Sequence, residues 1–97
     1  MEFIMLMVEI TELEKAIQQQ GEKIQEIVTV YNLGYSLLED VRCGRKKMTL
    51  EDRTALVRKV NGLCLGYESA IRKLERLEAK LDELCVTKDL MRDGFLL

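Results

Sequence analysis

From Leu6 to Val41 the apolar residues recur in alternating steps of four and three. They are Leu6, Ile10, Leu13, Ile17, Ile24, Ile27, Tyr31, Leu38 and Val41, with Gln20 and Gly34 filling the two remaining positions of the register. A second run follows the same rule without a gap: Leu56, Val60, Leu63, Tyr67, Ala70, Leu74, Leu77, Leu81 and Leu84. Spacing of this kind places one narrow apolar stripe along a helix, the seam of a coiled-coil-like pair. The pattern predicts two long helices and no strand.

Between the runs lies "VRCGRKKMTLEDR", Val41 to Arg53. Gly44 can take the left-handed conformation that closes a helix. The Thr49 hydroxyl can accept an orphan amide of the next helix, and Glu51 and Asp52 suit that helix's positive end. The expected layout is a single helical domain over residues 1–97, with helix one at about 2–43, a turn at about 44–49 and helix two at about 50–93. So short a link joins antiparallel neighbours. The fold class is therefore all-α, an antiparallel helical hairpin. Val41 should lie near Leu50 or Arg53, Ile27 near Gly66, and Ile10 near Leu84.

Near the turn both helices carry more apolar residues than a two-helix seam can cover. Helix one adds Val28, Val30, Leu33, Tyr35 and Leu37, and helix two adds Val57, Cys64 and Ile71. Left wet, such a face is unfavourable, so a further helical surface should cover it. A second copy would give a four-helix bundle; a partner subunit's helices are the other solution. The expected interface is Val28, Val30, Leu33, Leu37, Val57, Cys64 and Ile71.

Composition agrees with this picture. The 97 residues contain no proline or tryptophan, and 47% apolar with 33% charged residues excludes a disordered chain. A net charge of −2 gives no general attraction to nucleic acid or to anionic membrane. The run "FIMLMV" (Phe3 to Val8) is too short to span a bilayer, and Glu2 stands where a signal peptide would be basic. A soluble, cytoplasmic chain in a reducing compartment is expected. Cys43, Cys64 and Cys85 are an odd number without close spacing, so they read as small buried hydrophobes, Cys43 between Arg42 and Arg45 being the candidate reactive thiol. At the far end "FIMLMV" should meet Leu90, Met91, Phe95, Leu96 and Leu97, as a small hydrophobic plug or as a sticky end.

The remaining features each carry two readings. Gly62, Gly66 and Ala70 are spaced to make room for a bulky neighbour such as Tyr31, or to form a groove. Gln20 either fixes register as a polar core residue or loosens the helix with Gly21. With no histidine and no paired cysteines, neither metal chemistry nor acid–base catalysis is expected, and no cofactor or small-molecule substrate. Arg42, Arg45, Lys46 and Lys47 form a basic tip, suited to a helix C-terminus and, as a lesser reading, to weak nucleic-acid or anionic-lipid contact.

"RTALVRKVN" (Arg53 to Asn61) resembles part of the last helix of BAG domains, three-helix nucleotide-exchange modules that bind the ATPase domain of a heat-shock chaperone. In that family an arginine and, eight residues on, a glutamine touch the chaperone, with acids on the preceding helix. The resemblance implies that Arg53 and Asn61 would make those contacts, with Glu39 or Asp40 in place of one acid. The leading expectation is a non-enzymatic protein–protein interaction or oligomerisation module, a homodimer or a partner subunit's mate. A chaperone-type regulator is the alternative.

Overall fold

The structure, a computed structural model, describes residues 2–94. Its elements are α1 (Phe3–Arg42) and α2 (Leu50–Arg92), which pack against each other as an all-α helical hairpin. No strand occurs among the described residues. The helix ends fall within a residue or so of the expected boundaries, and the turn chemistry explains why.

Gly44 has φ 79°, the left-handed region in which a side chain is disfavoured. Its N–H donates to the Val41 carbonyl at 3.2 Å, and the Arg45 N–H donates to the Asp40 carbonyl at 2.9 Å. These two bonds are the Schellman closure that satisfies the last carbonyls of α1. Across the turn, the Asp52 N–H donates to Thr49 Oγ1 at 3.2 Å, which caps α2. Glu51 and Asp52 stand in the first turn of α2 as expected. At the other end of α2, Gly94 (φ 84°) donates to the Met91 carbonyl at 3.1 Å, so the helix stops at Asp93 and Gly94. Phe95, Leu96 and Leu97, expected to join a plug with Phe3 to Val8, lie outside the described residues.

The chain divides into two compact units. The turn unit is Lys23–Ile71; the terminal unit contains residues 2–22 and 72–94. In the turn unit the seam residues Ile24, Ile27, Tyr31, Leu38, Val41, Leu56 and Leu63 are half-buried, while Val60 and Ala70 are buried. Gly34 fills its seam position for a steric reason. A methyl group there would come within 2.9 Å of Val60 Cγ2, so the helices approach closely only because α1 presents bare backbone. In the terminal unit Leu6, Ile10 and Gln20 are buried, and Leu13, Ile17, Leu74, Leu77, Leu81 and Leu84 are half-buried. Gln20 is thus a true core position, and no buried side-chain N or O atom among the described residues lacks a hydrogen-bond partner.

Candidate functional site

A pair of helices can bury one stripe on each partner, and the turn unit carries apolar side chains well beyond that stripe. Val30, Leu33, Tyr35, Leu50, Val57, Leu65 and Tyr67 are all exposed there, Leu33 by 68%. The expected interface residues do not share a single face. Residues two apart on a helix point about 200° apart. Val28 and Val30 therefore leave the seam of α1 on opposite sides.

On one flank a groove of about 410 Å³ is lined by Ile27, Val28, Tyr31 and Asn32 from α1 and by Leu63, Cys64, Tyr67 and Glu68 from α2. Ile27 thus sits opposite the Leu63–Tyr67 turn of α2, close to the expected pairing with Gly66. Val57 and Ile71 lie seven residues either side of Cys64 and so on its stripe. On the other flank Val30, Leu33 and Leu37 stand along α1 beside Leu56, Lys59, Val60 and Leu63, around a smaller hollow of about 260 Å³. The single wide face expected from the sequence is corrected to two flanks. Val28, Val57, Cys64 and Ile71 belong to one, and Val30, Leu33 and Leu37 to the other.

The groove flank also gathers two tyrosines and a cysteine. The Tyr31 and Tyr35 rings stack with centroids 6.1 Å apart, a contact open to any pair of aromatics four residues apart on a helix. Cys64 and Tyr31 stand together in the groove wall. The charge of Cys64, and then hydrogen bonding to it, push the Tyr31 hydroxyl above the ordinary phenol range. The cysteines are not the buried hydrophobes expected. All three are free, Cys43 and Cys64 are exposed, and Cys85 is half-buried. Gly62 and Gly66 are likewise not filled by Tyr31, since a methyl at either would meet nothing within 4 Å.

The basic tip is less basic than its sequence suggests. The Arg42 guanidinium meets Glu39 at 2.7 Å, and Arg45 meets Asp40 at 2.9 Å. The Glu39 carboxylate, by its hydrogen bond and then its charge, raises the already high pKa of Arg42. Among the described residues Lys46 and Lys47 have no ion-pair partner, so they are the free cations of the tip. Arg53 and Asn61 are both exposed on α2. Two helices stand here, however, where a BAG domain has three.

In the terminal unit, Phe3, Ile4, Met7 and Val8 form an exposed apolar patch with Thr11 and Glu12 at its edge. Among the described residues no group of acids and cysteines is placed to hold a metal ion, and no helix is long and apolar enough to cross a membrane. Compared with protein-family models, curated proteins and solved structures, the chain matches none.

Proposed function

We propose that this chain is a non-enzymatic assembly module, a helical hairpin that self-associates through the apolar flanks of its turn unit. The observation that carries this reading is apolar surface left uncovered: Val30, Leu33, Tyr35, Leu50, Val57, Leu65 and Tyr67 of the turn unit are all exposed. Fully burying one such aliphatic side chain contributes about 1.5–3 kcal/mol, against a total stability of about 5–15 kcal/mol for a whole domain. Association is the simplest way to recover that contribution, with another copy or with a partner subunit's helices supplying the missing surface.

Sedimentation of the paired variant Val30→Glu with Ile71→Glu tests this reading, because it places a carboxylate on each flank. The expected result is a single-chain species that keeps its helical circular dichroism. An unchanged assembly would show that the turn-unit flanks are not the contact surface.

A further inference from the structure

We draw no further inference here: the strongest candidate, the apolar groove of the turn unit walled by Ile27, Val28, Tyr31, Leu63, Cys64 and Tyr67, belongs to the surface already described, and nothing in the structure shows what covers it.

Discussion

The two units share a seam and differ in what lies beside it. In the terminal unit the positions flanking the seam between Glu9 and Glu22, and between Arg72 and Glu83, are largely charged or amide residues: Glu12, Glu14, Gln18, Gln19, Lys73, Glu75, Arg76, Glu78, Lys80 and Asp82. In the turn unit the corresponding positions hold Val28, Val30, Leu33, Tyr35, Leu37, Val57, Cys64 and Ile71. A leucine seam is enough to pair two helices in either place. What surrounds the seam decides whether the pair is finished. Charged flanks are content in water; aliphatic flanks require cover. The same heptad thus pairs the helices in both units and leaves exposed apolar side chains beside the seam of the turn unit, while in the terminal unit they gather at Phe3 to Val8.

The sharpest way to break this distinction is to truncate a seam residue and a flank residue. Leu6 is fully buried in the terminal unit, so Leu6→Ala should cost about 2–5 kcal/mol of unfolding free energy in urea titrations. Leu33→Ala, in the turn unit, should change the unfolding of the dissociated chain by no more than about 0.5 kcal/mol, yet shift assembly to higher concentration. Equal effects of the two substitutions on unfolding would erase the contrast between seam and flank.

The glycines sharpen it next. Gly34→Ala must displace Val60, and should destabilise the turn unit by about 1–3 kcal/mol. Gly21→Ala meets nothing within 4 Å in the terminal unit, and should stabilise α1 by about 0.5–1 kcal/mol through helix propensity alone. Thermal melting of both variants is the check. A gain in both would mean that the close approach at Gly34 yields at no cost. Removing the α2 cap with Thr49→Ala should cost about 1 kcal/mol, again read from the melting curve.

The smallest effect is spectroscopic. Cys64→Ala removes the neighbour that raises the Tyr31 hydroxyl, so part of the phenolate absorbance should appear at lower pH than in the wild type. A raised folded-state pKa stabilises the fold below the ordinary phenol value, and that contribution is lost as pH rises through the raised value. The wild type should therefore lose an increment of stability in the alkaline range that Cys64→Ala lacks. Identical titrations would show that the groove does not hold Tyr31 beside Cys64.

Much of this was legible in the residues. The seam, the turn and the caps follow from local rules, since heptad spacing, a left-handed glycine and a threonine hydroxyl act over a few residues. Gln20 was readable as a core position because the register ran through it. Gly34 looked like a gap, and only the approach of Val60 shows that the gap is a contact. The flanks were the harder matter. Val28 and Val30 read together as surplus hydrophobicity, because a count of apolar residues has no direction, whereas on a helix a two-residue step crosses the seam. Cys64 was expected inside for its residue type, yet its place one step off the seam leaves it exposed. The neutralisation of the basic tip was half visible: Glu39 and Asp40 were at hand, but the pairing with Arg42 and Arg45 depends on how α1 closes at Gly44.

Mass as a function of concentration, by light scattering on the full chain, tests the central claim most directly. The account predicts a mass above 11.2 kDa that grows across the micromolar range and falls back to one chain when Leu33 and Cys64 are both changed to glutamate. A soluble, helical species that stays at 11.2 kDa to high micromolar concentration would contradict it.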